Sequence, residues 1–201
     1  MSIFRKKKII YTANFGNYDE RHDGADVHFN EENNPFDGSG GHLSSRYMGK
    51  LYKVLNPLSY DIWIDSSVEV VKQREFRRLF GGDFCIFKHR FNKTMKDELD
   101  LCEELGYLNS RQKEVITELY NSAGMYVEEV PVYASGILFH SKNSLELEKL
   151  WWSLICQYSY RDQLTLPYAI KQFPELDFRV IDIDTSNNEI FKVHSHKKSR
   201  N

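Results

Sequence analysis

Tyr60-Asp61-Ile62-Trp63-Ile64-Asp65-Ser66-Ser67 is the stretch that decides the fold: a short apolar run closed by a carboxylate and then by small polar residues. A brief apolar run bounded by turn residues reads as a strand buried on both faces, which an α/β sheet with helices on either side requires. In open α/β sheets ligands gather beyond the carboxyl ends of the strands, so Asp65 is delivered to the edge of a site. Mg²⁺ or Mn²⁺ would suit such a carboxylate, since a hard cation fills its other positions with water and phosphate oxygens. The competing reading of Asp65 is a side chain that caps the next turn through its neighbours' N–H groups.

Outward from this strand, helix-like and strand-like runs alternate. Residues 8–13, 26–29, 84–88, 136–140, 178–183 and 189–194 read as strands. Leu43, Tyr47, Leu51 and Val54 mark a helix that Ser44 or Ser45 caps and Asn56-Pro57 stops. Further helices are expected from Met95 to a stop at Gly106, over 111–120, from a capping box of Asn143 and Glu146 through Ile155, and from near Thr165. The polar, Gly-rich 30–41 stretch is expected to be a mobile loop.

A chain of 201 residues forms one domain on the usual allowance of about 150 per domain. Its 27 Lys and Arg against 29 Asp and Glu leave a net charge of −2 and no global footprint for nucleic acid or an anionic membrane. No apolar run is long enough to span a bilayer. Cys85, Cys102 and Cys156 are odd in number and widely spaced, which suits buried thiols in a reducing compartment and makes the cytoplasm the expected location.

Any anion site must therefore be local. Arg46, Lys50 and Lys53 recur at i, i+4 and i+7, a stripe whose mutual repulsion a bound diphosphate would relieve; the alternative is a solvated face. His89-Arg90 and His140 stand at strand ends. Arg161-Asp162-Gln163 gathers a cation, a carboxylate and an amide at a helix start, where Asp162 could equally serve as a cap. Near the end, His194 and His196 project to one side of an extended chain, a two-imidazole face for Mn²⁺ or phosphate oxygens, followed by Lys197; a basic tail over 194–201 is the alternative.

Taken in order, Tyr11-Thr12-Ala13-Asn14-Phe15-Gly16-Asn17-Tyr18-Asp19, the run from Arg46 to Lys53, Tyr60 to Asp65, His89-Arg90, Ser135 to His140, Trp151-Trp152 and Tyr160-Arg161-Asp162-Gln163 resemble a glycosyltransferase-like family. It is the one found in plant mucilage and pollen-defect proteins, related to the glycogenin and galactosyltransferase group. The resemblance implies a single Rossmann-like GT-A domain over 1–201, a mixed sheet flanked by helices. It implies a UDP- or GDP-sugar donor, a glycan acceptor, a place in polysaccharide biosynthesis, and retention at the anomeric carbon. Tyr11, Thr12, Asn14 and Tyr18 would then hold base and ribose, with Arg46, Lys50, His89, Arg90 and Lys197 about the rest of the donor. Asp162 and Gln163, with Arg161, would stand by the donor sugar. Asp65 falls on the first carboxylate of an Asp-x-Asp metal motif, but Ser67 replaces the second, so His194 and His196 are expected to complete a Mn²⁺ or Mg²⁺ shell. Rival readings are a metal-assisted hydrolase or nucleotidyltransferase, and a nucleotide-sugar or glycan-binding module without turnover.

Overall fold

The computed structural model describes residues 7–16, 20–34, 44–56, 59–91, 93–186 and 188–195. Its elements are β1 (Ile10–Ala13), β2 (Val27–Phe29), α1 (Ser45–Leu55), β3 (Ile62–Ile64), β4 (Val68–Val70), α2 (Gln73–Arg78), β5 (Phe84–Lys88), α3 (Met95–Glu104), α4 (Ser110–Ser122), β6 (Tyr133–His140), α5 (Leu145–Gln157), α6 (Leu166–Lys171), β7 (Phe178–Ile181) and β8 (Phe191–Val193). Six strands form a mixed sheet in the order β2-β1-β3-β6-β5-β7, while β4 and β8 pair as a separate ribbon. β1 is parallel to β2 and β3, β5 is parallel to β7, and β6 runs against both β3 and β5. The carboxyl ends of β1, β3 and β5 therefore share one edge of the sheet. This is the mixed α/β architecture expected from the sequence.

Strand periodicity sorts side chains onto two faces. Tyr11, Trp63, Leu138, Phe84 and Ile86 pack against Tyr52 and Val54 of α1, Trp151, Leu154 and Ile155 of α5, and Leu166 and Ala169 of α6. Ile10, Ile62, Ile64, Cys85, Phe87, Ile137 and Phe139 face the other way, against Val68 and Val70 of β4, Phe76 of α2 and Phe191 of β8. A third cluster, from Met95 and Leu99 to Ile116 and Tyr120, joins α3 to α4. Among the described residues no helix is long and apolar enough to cross a membrane.

α3 opens on a capping box of Thr94 and Asp97, α4 on one of Asn109 and Gln112, and Gly106 takes φ +71° after α3. Two expected caps are not formed. Ser44 stands at the start of α1 without a side-chain cap bond. Instead of a box of Asn143 and Glu146, the Ser141 hydroxyl accepts from the Asn143 N–H to open a short 3₁₀ turn, and Ser144 Oγ donates to Glu148 once α5 begins. β6 starts three residues before the expected Gly136. Residues 35–41 of the expected loop lie outside the described residues, while Glu31 to Asn34 carry no helix or strand.

Candidate functional site

α1 ends at Asn56, which holds φ 40°, a left-handed conformation that asparagine tolerates better than most residues. Its side chain closes a ring on Tyr60, donating from Nδ2 to the Tyr60 carbonyl at 2.6 Å and accepting from the Tyr60 N–H at 2.9 Å. That closure ties the end of α1 to the approach to β3, so the basic stripe of the helix lies over the carboxyl end of the strand. Arg46, Gly49, Lys50 and Lys53, all on one helical face, line a cavity of about 670 Å³. The residues following β1 and β3, the end of β5, the first half of β6 and the Tyr160–Gln163 segment complete its wall.

Because side chains alternate along a strand, Asp65 falls on the same side as Trp63, and the indole N–H of Trp63 donates to Asp65 Oδ1 at 2.8 Å. Lys53, 1% exposed, places Nζ 3.5 Å from that same oxygen, 2.8 Å from Asp162 Oδ2 and 3.1 Å from Ser135 Oγ. Lys50 pairs with the other oxygen of Asp162 at 2.8 Å, and the Ser135 hydroxyl donates to Asp162 Oδ2 at 3.0 Å. The Asp162 backbone carbonyl accepts from the Trp151 indole at 2.9 Å. A carboxylate this deeply buried would ordinarily be driven toward its neutral form, yet the two ammonium groups outweigh burial and hold Asp162 far below the usual carboxylate range. Burial works against Lys53 too, but Asp162 and Asp65 keep its pKa above the ordinary lysine value. For Lys50 burial prevails over Asp162 and its pKa falls. The result is a fixed alternation of charge, Lys50, Asp162, Lys53, Asp65, whose open oxygen is Asp65 Oδ2 beside Gly136.

The structure gathers Asp65, Asp162, Arg46, Lys50, Asn14, His89, Arg161 and Gln163 around this cavity. Arg161 and Gln163 are engaged at its wall: the guanidinium meets Glu98 at 3.1 Å, lies over the Tyr107 ring and bonds Gln163 Oε1, while Gln163 Nε2 donates to the Tyr133 carbonyl. Thr12 instead faces a second hollow of about 340 Å³ with Arg21, His22 and His28, where its buried Oγ1 has no hydrogen-bond partner. Asn14, Ser66 and Val68 line both spaces.

Other expected residues are placed elsewhere. Tyr11 is 1% exposed and donates its hydroxyl to the Tyr52 carbonyl, because its position in β1 points it into the α1 face of the core. Arg90 stacks on Phe91 and approaches Asp184 outside the cavity wall. His140 is sealed in the core with Glu148 at 2.9 Å. His194 gives its backbone N–H to Ser67, but its imidazole meets Glu69 at 3.0 Å and stacks on His22, so the ring is engaged away from Asp65. Tyr18, His196 and Lys197 lie outside the described residues. Trp63, Ser135 and Gly136 are site residues that sequence reasoning missed, and Lys53 it saw only as part of a stripe.

As a place for Mn²⁺ or Mg²⁺ the donor set of the described residues does not fit. Asp65 has one oxygen already shared by an indole and an ammonium group, Ser67 is 3% exposed, and no three His, Cys, Asp or Glu side chains among the described residues are grouped to share a metal ion. No family model and no curated protein sequence matches the chain. Among solved structures it is similar to a glycosyltransferase involved in the glycosylation of the major capsid of PBCV-1, at 16% identity and a TM-score of 0.47 over 83% of this chain and 79% of that one. So slight a likeness carries nothing about the chemistry of this cavity.

Proposed function

We propose that this chain is a glycosyltransferase that takes a nucleoside-diphosphate sugar as donor and a glycan hydroxyl as acceptor. The observation that carries the reading is the cavity at the carboxyl ends of β1, β3 and β5, walled on one side by the basic face of α1 and on the other by Asp65 and Asp162. A nucleotide sugar asks for that combination: cations for the phosphates, and carboxylate acceptors for sugar hydroxyls. Arg46 and Lys50 serve the diphosphate, with Gly49 between them leaving open space. Asp65 Oδ2 accepts from a sugar hydroxyl. The second hollow takes the nucleoside, since Asn14 and Ser66 join the two spaces. Phe91 and Tyr107, exposed at the rim, offer flat apolar faces to an acceptor sugar.

In transfer the bond from the anomeric carbon to the β-phosphate oxygen breaks, its electron pair leaves with the diphosphate, and the acceptor oxygen bonds the anomeric carbon as it gives up its proton to the departing phosphate oxygen. Lys50 and Arg46 stabilise the charge gathering on the leaving group. Retention of configuration is the outcome the family resemblance leads us to propose.

One observation favours a second reading, a nucleotide-sugar-binding module without turnover: both oxygens of Asp162 are held inside the wall by lysines and a serine. Calorimetry with UDP and GDP, followed by chromatography of a panel of UDP- and GDP-sugars incubated with the protein, separates the two. Binding with slow release of free sugar, both weakened in Lys50→Met, supports the transferase. Binding without release across the panel leaves the module, and binding of neither nucleotide removes both readings.

A further inference from the structure

We infer that this site handles its nucleoside diphosphate without a divalent cation, Lys53 standing between Asp65 and Asp162 where a bridging cation would otherwise stand. The inference rests on the nucleotide-sugar reading above and sharpens it. Two carboxylates face one cavity here, and such a pair attracts a divalent cation only while its charge is unspent. In this chain it is spent. Lys53 is buried, cannot leave without stranding its charge, and reaches both carboxylates at once, 2.8 Å from Asp162 and 3.5 Å from Asp65. Lys50 matches the remaining oxygen of Asp162. Two acidic and two basic groups therefore balance before any ligand arrives.

The position that would restore an acidic excess, two residues after Asp65, holds Ser67, which is buried and gives its carbonyl to His194 in the β4–β8 ribbon. The imidazole of His194 is turned to Glu69, so among the described residues that segment brings the cavity no imidazole. What the cavity offers a diphosphate instead is cationic from the outset: Arg46, which also lies over the Tyr160 ring at 5.1 Å, and the quarter-exposed Lys50 one turn further along α1. A diphosphate entering between them exchanges the Lys50–Asp162 contact for a phosphate contact, and Lys53 with Ser135 continues to neutralise Asp162.

The full chain, stripped with EDTA, is titrated calorimetrically with UDP and with GDP, then again in saturating Mn²⁺ and in saturating Mg²⁺. Manganese binding to the nucleotide-free protein is followed in parallel by electron paramagnetic resonance. The expected result is a dissociation constant that agrees within about threefold across the three conditions, with no manganese bound by the free protein. Affinity that rises about tenfold or more with either cation, or that exists only in its presence, overturns the cation-free site while leaving the nucleotide-sugar reading intact. Failure of both nucleotides to bind under every condition overturns the nucleotide-sugar reading and this inference with it. Lys53→Met should unmask the carboxylate pair and make nucleotide binding tighten with Mn²⁺ by about tenfold. Should that variant not fold, Lys50→Met is the arm to use. In EDTA it should bind nucleotide about tenfold more weakly, and unchanged binding would overturn the role given to the lysine pair.

Discussion

Gly136 sits opposite Asp65 across the β3–β6 pairing, where the Asp65 N–H donates to its carbonyl at 2.7 Å. A Cβ at this position would stand 3.2 Å from Asp65 Oδ2, tighter than ordinary van der Waals contact. Asp65 cannot simply swing away, because the Trp63 indole and Lys53 hold its other oxygen. Gly136→Ala should therefore cost little stability, about 1 kcal/mol, since the backbone there is not left-handed and only one methyl is added. Donor turnover should fall by something on the order of tenfold to a hundredfold, as expected when a substrate-positioning group is displaced by a fraction of an ångström to an ångström. Thermal melts beside donor-hydrolysis rates check both halves. A variant with wild-type turnover would remove Asp65 Oδ2 from the site.

α1 brings three cations to the cavity, and it is aimed by the residue that caps its end. Asn56→Ala places an alanine at φ 40° at a cost of about 1 kcal/mol and removes both bonds to Tyr60, each worth about 1 kcal/mol. Urea unfolding should show a loss of about 2–4 kcal/mol, of which Asn56→Gly, relieving the backbone alone, recovers about 1 kcal/mol. Equal losses in the two variants would mean that the left-handed turn is not what the asparagine is there for. The elements legible in the sequence were those with strong local signals: the Ile62-Trp63-Ile64 strand, the α1 stripe, the glycine after α3 and the proline near the start of α6. β4 and α2 escaped notice because β4 has only two buried valines about a charged Glu69 and α2 buries a single side chain, Phe76. Their form is set by packing on the sheet and by β8, more than a hundred residues away in sequence. In the site, charge type and strand end were readable, whereas pairing was not. Nothing local in Arg46, Lys50 and Lys53 says that Lys53 would be the one to be buried, because that follows from where β6 and the Tyr160–Gln163 segment close over it. The same ignorance of distant partners sent His194 to the metal in the sequence reading and to Glu69 in the structure.

For the molecule as a whole, the buried charge alternation ties overall stability to pH. The Asp162 carboxyl titrates lower in the folded chain than the 3.8 of an unfolded one, so it stabilises the fold at every pH above that value and loses this contribution as pH falls below it. Urea midpoints should decline as the solution is acidified through about pH 4, and Asp162→Asn should flatten that decline. The same variant should cost about 3–5 kcal/mol at neutral pH, because it leaves buried lysines without their counter-charge. An acid limb unchanged in the variant would assign the decline to other carboxylates. The chain has three tryptophans, and two of them are wired to the two aspartates of the cavity: Trp63 gives its indole N–H to the Asp65 side chain, Trp151 to the Asp162 backbone. Indole emission responds to the charge and hydrogen bonding at its nitrogen. A ligand that draws on Asp65 should therefore shift the tryptophan emission maximum through Trp63, an optical readout that needs no label.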